Sequence, residues 1–145
     1  MENLVLRKLK KEDAQDVDRI NTVITKEPAK DKFKRMVEEL AQSAGNMSYV
    51  AEYRGKIVGY MITYLLYGGF GIEKSAWIAT LGVEPKFMGQ GIGKALANKI
   101  FKLYSEKNIK NIYTTVRWDS TDMLSFFKTL GFDRSNFINL RRELE

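Results

Sequence analysis

Three glycines at alternate positions, Gly89, Gly91 and Gly93, join an extended stretch, Trp77 to Val83, to a helix-forming stretch, Gly91 to Ser105. Pro85 keeps Glu84 extended and stops the strand. The glycines then let backbone N–H groups turn inward with no side chain in the way. A helix start stacked on such a turn is a pyrophosphate site in the making. Lys86 and Lys94 add positive charge beside it. The pattern is not a nucleotide P-loop, because Lys94 is followed by Ala95 rather than Ser or Thr. Nor is it a dinucleotide fingerprint, since the glycine spacing lacks the usual gap and this strand is not the chain's first. On spacing alone two readings stay open. One is a phosphate-bearing ligand on a helix N-terminus, the other a tight turn that needs small residues.

Composition narrows the chemistry. The chain has 145 residues with no cysteine and no histidine. Disulfides, thiolate nucleophiles, the usual zinc sites and imidazole bases are therefore excluded. Any general base is Glu, Asp, Lys, Tyr, backbone or water. The length suits a single domain over residues 1–145. No apolar run approaches the length of a membrane span, and Met1 to Leu4 lacks a signal pattern, so a cytoplasmic protein is the expectation. The net charge of +6 could attract an acidic partner. Its lysines are scattered and no nucleic-acid motif accompanies them, so no specific nucleic-acid partner and no membrane partner is expected.

The elements that must position the turn follow from periodicity. Val5 to Leu9 reads as a strand and Lys11 to Ile24 as a helix, broken at Glu27-Pro28-Ala29. A second helix begins at Asp31 with the stripe Phe33, Met36, Val37 and Leu40. Ser48 to Tyr53 and Ile57 to Leu66 flank Arg54-Gly55-Lys56 as a hairpin. After the turn Tyr67-Gly68-Gly69-Phe70-Gly71, Ser75 to Val83 is the next strand. Ile109 to Val116 is a strand, Thr121 to Leu130 a helix ended by Gly131, and Phe137 to Leu144 a last strand. Helices beside a mixed, mostly antiparallel sheet make the fold class α/β, in α+β style.

Leu81 to Leu96 resembles the acyl-coenzyme A binding motif of the GNAT N-acetyltransferases: apolar residues, a proline, then a glycine turn. Gly91 and Gly93 match its small positions, while Met88 stands where Arg or Gln is usual. Ser125-Phe126-Phe127-Lys128-Thr129-Leu130-Gly131-Phe132 resembles the helix-then-Gly-Phe segment that closes the cofactor cleft in that family. The resemblance implies that the strands Ser75–Val83 and Ile109–Val116 run parallel and splay apart. It further implies acetyl-coenzyme A as co-substrate, no metal, and direct attack by an amine of a small molecule or peptide. Leu81, Gly82 and Val83 would then line the pantetheine, Leu81 and Val83 pairing with it through backbone groups. Met88, Gly89, Gln90, Gly91, Ile92, Gly93 and Lys94 would hold the pyrophosphate, and Ser120, Phe126 and Phe127 would complete the cofactor site.

Phe127 occupies the position where many relatives carry the tyrosine that protonates the leaving thiolate, and it has no proton to give. Ser120 replaces a frequent asparagine and could also cap its helix. For the base, Glu73 lies near where some relatives place a glutamate. Asp119 falls within Arg117-Trp118-Asp119-Ser120 at the expected cleft mouth. A carboxylate paired with Arg117 is a poor base, which puts Glu73 first and leaves Asp119 and Arg117 as orienting or substrate contacts. The plainer reading of that run is an ion pair and a packed tryptophan. Tyr64 and Tyr67 would line the acceptor side, or simply pack. Phe101 and Tyr104 suit core or dimer contact, so a homodimer is left open. The alternative function is a non-catalytic acyl-coenzyme A binding or sensor module.

Overall fold

The computed structural model describes residues 1–27, 31–68, 70–71 and 73–145. The expected break at Pro28 and Ala29, and Gly69 of the glycine-rich turn, lie outside the described residues. Two compact units emerge, Met1–Thr115 and Val116–Glu145.

In the first unit β1 (Leu4–Lys8) leads through a short 3-10 turn into α1 (Ala14–Thr25) and α2 (Asp31–Gln42). Then follow β2 (Tyr49–Tyr53), β3 (Lys56–Leu66), β4 (Ser75–Val83), α3 (Ile92–Glu106) and β5 (Ile112–Tyr113). The sheet order is β1-β2-β3-β4-β5. All neighbours are antiparallel except β4 and β5, which are parallel. This is the mixed, mostly antiparallel sheet that the pattern predicts. The β2–β3 hairpin turns on Arg54 (φ 52°) and Gly55 (φ 78°), the two left-handed positions that match the twist of the flanking strands.

Strand alternation sends side chains to two cores. Val17, Ile20 and Val37 of α1 and α2 pack with Val50, Tyr60 and Ile62 on one face. On the other face Gly59 admits α3. A Cβ at Gly59 would lie 2.9 Å from Ile92 Cγ2 and 3.6 Å from Leu96 Cδ1. The far end of α3 is held by a buried polar chain. The Tyr104 hydroxyl accepts from Met47 N–H at 3.0 Å and meets Thr63 Oγ1 at 2.6 Å. The Thr63 hydroxyl donates to the Met47 carbonyl, so the proton between the two hydroxyls belongs to Tyr104. Tyr104 is thus a core residue.

The structure departs from the sequence expectation at two strands. The strand expected over Ile109–Val116 shrinks to Ile112–Tyr113. Its first residues are consumed by the end of α3, where Lys107 and Ile109 N–H return to the Tyr104 carbonyl and Asn108 N–H to Ser105. The strand expected over Phe137–Leu144 is absent from the described residues. In that segment Ser135 Oγ accepts from Phe137 N–H and donates to its carbonyl, both at 3.2 Å. Such local closure competes with ladder pairing. Arg141 and Glu143 also pair with each other.

In the second unit α4 (Thr121–Thr129) ends at Gly131 (φ 88°) as expected. Phe132 N–H returns to the Phe127 carbonyl, the usual left-handed termination. The Phe127 ring lies 5.4 Å from Phe126 and 5.1 Å from Phe132, both edge-on. No helix among the described residues is long and apolar enough to cross a membrane.

Tyr104→Phe leaves Met47 N–H buried without an acceptor and takes a donor from Thr63. We expect a stability loss of about 1–3 kcal/mol in denaturant unfolding. An unchanged midpoint would show that the polar chain does not anchor α3.

Candidate functional site

The glycine turn is built from the end of β4. Glu84 N–H donates to the Val58 carbonyl at 2.8 Å, continuing the β3–β4 ladder by one bond. Pro85–Phe87 then forms a 3-10 turn, closed by Phe87 N–H to Glu84 and Met88 N–H to Pro85. Gly89 (φ 80°) and Gly91 (φ 81°) take the left-handed conformation that side chains disfavour. A Cβ at either would meet nothing within 4 Å, so the space above them is open. The first bond into α3 is Ala95 N–H to the Gly91 carbonyl. Backbone N–H groups from Gly89 to Lys94 therefore have no acceptor among the described residues. They converge at the positive end of a helix. Ile92 is buried beneath them and fixes the helix start. Met88, Gln90 and Lys94 are exposed, and Lys86 Nζ rests 5.7 Å over the Phe87 ring. The nearest carboxylate in sequence, Glu84, faces Arg19 and Lys56 at 3.9 and 3.8 Å. That leaves the field at the turn positive.

A second feature adjoins the turn. The β4–β5 pairing covers only Ala76↔Ile112 and Trp77↔Tyr113. Beyond it β4 has no strand on that side among the described residues. A bulge at Ala79 shifts the register, since Ile62 faces Thr80 while Thr63 faces Ile78. Backbone groups along a strand alternate between its two edges. Thr63 N–H points to β2, where Ser48 Oγ accepts it at 2.9 Å. Val58 points to β4. Even-numbered β3 residues thus face β4, and so do their partners Thr80 and Gly82. The N–H and C=O groups of Leu81 and Val83 point the other way, onto the open edge. An unpaired β-edge therefore runs up to a ring of unpaired helix-terminal N–H groups. This arrangement suits an extended ligand with amides at one end and phosphates at the other.

The other expected site residues fall in several places. Gly82 turns its backbone to β3, and its missing side chain serves packing. A Cβ there would lie 2.7 Å from the Tyr60 hydroxyl and 2.8 Å from Ile24 Cδ1. The Tyr60 hydroxyl is buried with no hydrogen-bond partner. Burial pushes its pKa up to about 12, with the Thr80 side chain beside it pulling the other way. It keeps its proton at neutral pH, and nothing in the sequence pattern singles it out. Tyr64, Trp77 and Tyr113 form a half-buried stack across three strands, with centroid spacings of 6.4 and 4.9 Å. Tyr67 is exposed, its ring 4.8 Å from Lys74 Nζ.

Glu73 is exposed and precedes β4. The structure does not bring it to the open edge, because Ser75 to Ala79 alone spans about 13 Å of strand between them. In the second unit Arg117 grips Asp119 with two bonds of 3.1 and 3.2 Å. The Arg117 hydrogen bond holds the Asp119 carboxyl below its ordinary pKa. Trp118 is exposed rather than packed. Ser120 stands at the N-cap of α4, but its side chain makes no capping bond. Phe127 is buried.

The chain matches the family model described as "Acetyltransferase (GNAT) family" over residues 14–132. It belongs to the GNAT acetyltransferase family. Its fold is shared with a possible acetyltransferase from Clostridium difficile 630 at TM-score 0.83 and 16% identity, with 99% of each chain covered. It is also similar to an aminoglycoside antibiotic 6'-N-acetyltransferase, AAC(6')-Ih, from Acinetobacter baumannii. There the TM-score is 0.81 at 11% identity, covering 98% of this chain and 99% of that one. A third is AAC(6')-Iy in complex with a bisubstrate analog, CoA-S-monomethyl-acetylneamine. Its TM-score is 0.80 at 16% identity, covering 97% and 98%. The glycine turn and the open edge both lie inside the segment matched to the GNAT family. Among the described residues no group of three or more acidic side chains is placed to hold a metal ion.

Proposed function

We propose that this chain is an N-acetyltransferase that moves the acetyl group of acetyl-coenzyme A to a primary amine by direct attack. The observation that supports it most is the open β4 edge at Leu81 and Val83 running into the free N–H groups of Gly89 to Lys94. In this reading the turn cradles the pyrophosphate, and the pantetheine amides pair with the edge as a strand would. By the family motif, Ser120, Phe126 and Phe127 of the second unit are further candidate contacts to coenzyme A. AAC(6')-Iy binds an analog that joins coenzyme A to an acetylated amine, which agrees with this assignment. The acceptor is an amine of a small molecule or peptide, with Tyr64 and Tyr67 on its side of the sheet and Arg117 a further contact.

The reaction needs little covalent machinery. The amine nitrogen attacks the thioester carbonyl, the C–S bond breaks, and the thiolate leaves while the ammonium loses a proton. Neither carboxylate singled out in the sequence serves as base in our reading. Glu73 lies beyond the paired end of β4, and Asp119 is tied to Arg117. The amine arrives neutral or gives its proton to water. Phe127 cannot protonate the thiolate, which leaves as such or takes a proton from water. A thiol pKa near about 8.5 makes that route accessible. Phe127 also supports the second reading, an acyl-coenzyme A binding or sensor module without turnover. Thiol release from acetyl-coenzyme A across a panel of amines and peptides separates the two. Release with some acceptor supports the enzyme, and tight binding without release on any acceptor supports the sensor.

Gly91→Glu places a side chain and a negative charge in the open space of the turn. Calorimetry should show coenzyme A binding lost while circular dichroism shows the fold retained. A folded variant with native affinity would rule this site out.

Phe127→Tyr restores the usual proton donor. We expect the turnover number to change by less than about tenfold, or 1.4 kcal/mol. A gain of about a hundredfold or more would show that thiolate protonation limits the native rate.

With a proven acceptor, Glu73→Gln and Asp119→Asn should each leave kcat within about threefold, Asp119→Asn acting instead on the acceptor's KM. Because Asp119 is held below its ordinary pKa, it stays ionised throughout the neutral range. It therefore cannot produce an acidic limb there, and that limb should follow the ammonium pKa of the acceptor. A limb that stays fixed from acceptor to acceptor and disappears in either variant would restore that carboxylate as base.

A further inference from the structure

The pairing of β4 with β5 stops after two residue pairs, and one side chain stands where it stops. Thr114 directly follows β5, and its hydroxyl donates to the Ile78 carbonyl at 3.3 Å. Ala76 N–H donates to the Asn111 carbonyl at 3.2 Å. Ala76 and Ile78 therefore share the edge that faces β5. In a regular parallel ladder the next rung would bring Thr115 N–H to that same Ile78 carbonyl. The Thr114 hydroxyl takes the carbonyl in its place. The carbonyl is satisfied, and the backbone of Thr115 has no rung to complete. The strands part at this point, immediately before the Ala79 bulge and the outward-facing groups of Leu81 and Val83.

We propose that Thr114 is a positioning residue for the cofactor: its hydroxyl ends the β4–β5 ladder and so sets how deep the open edge runs. The inference rests on the reading of that edge as the pantetheine site. Without the hydroxyl, the Ile78 carbonyl either recruits Thr115 N–H, zipping the strands and closing the inner end of the edge, or remains unpaired. Both outcomes disturb the part of the site that holds the thiol end of the ligand. The glycine turn, at the other end of β4, is untouched. Thr114 is β-branched and semi-buried, so Val reproduces its shape without its hydroxyl, and Ser keeps the hydroxyl without the methyl.

The test compares two ligands by calorimetry: coenzyme A, and its nucleotide half, the phosphorylated ADP without the pantetheine arm. Thr114→Val should weaken coenzyme A by about tenfold while leaving the nucleotide within about twofold, and Thr114→Ser should bind coenzyme A within about threefold of the native protein. Equal losses for both ligands would reduce Thr114 to a general structural role and overturn the inference. Native coenzyme A affinity in the Val variant would overturn it too. If the Val variant fails to fold, Thr114→Ala carries the same expectations and the same refutations. Native protein that binds neither ligand would refute the underlying cofactor reading. Native protein that binds coenzyme A upholds that reading whatever Thr114 does.

Discussion

A backbone N–H or carbonyl withdrawn from water must find a partner, and the unfinished pairing of β4 is the constraint on which the rest of the site depends. β5 contributes only Ile112 and Tyr113 to the sheet. Its start is delayed because the residues after α3 are spent closing the helix end, and its finish comes at once because Thr114 caps Ile78. Between these two local closures the parallel ladder is too short to cover β4. The strand itself continues through Val83, because β3 pairs with it on the other side at every residue but the bulged Ala79. The result is an edge that is paired on one side only.

The position of the helix start follows from packing on the opposite face. Gly59 lets Ile92 and Leu96 approach the sheet at one end of α3, and the Tyr104–Thr63–Met47 chain secures the other end. With both ends held, the free N–H groups of Gly89 to Lys94 cannot swing away from the end of β4. Tyr60 supports the same strand from the α1 side, filling the space that Gly82 leaves. A polar edge and a polar helix end are thereby presented together by elements whose own cores are apolar and closed.

The chemistry proposed for this site suits a chain with no cysteine and no histidine. A thioester already carries a good leaving group, so the protein's task is to hold two reactants and exclude competing geometries. Charge is arranged to that end. Glu84 turns to Arg19 and Lys56, while Lys86 and Lys94 stand exposed beside the turn. In the proposed reading neither carboxylate that sequence position favours serves as base: Glu73 stands before β4, and Asp119 is gripped by Arg117.

The element order of the first unit, the bounds of β4, the Arg54-Gly55 hairpin, the glycine turn with its helix, and the family were all legible in the residues. Each rests on local rules: alternation, helical periodicity and left-handed turn positions act over a few residues and are written in residue types. Features that depend on which groups meet across long separations were not legible there. β-branched residues from Ile109 to Val116 favour a strand, yet pairing is confined to two of them, since a ladder requires a partner and both flanks had found other ones. Phe137–Leu144 has strand-forming residues but no ladder among the described residues, and at its start Ser135 satisfies Phe137 locally. The Ala79 bulge, which turns Leu81 and Val83 outward, exists only as a mismatch between β3 and β4. Tyr60 and Thr114 carry no signal in the sequence, because a hydroxyl gains its role from the carbonyl it meets or the partner it lacks, and neither is encoded nearby.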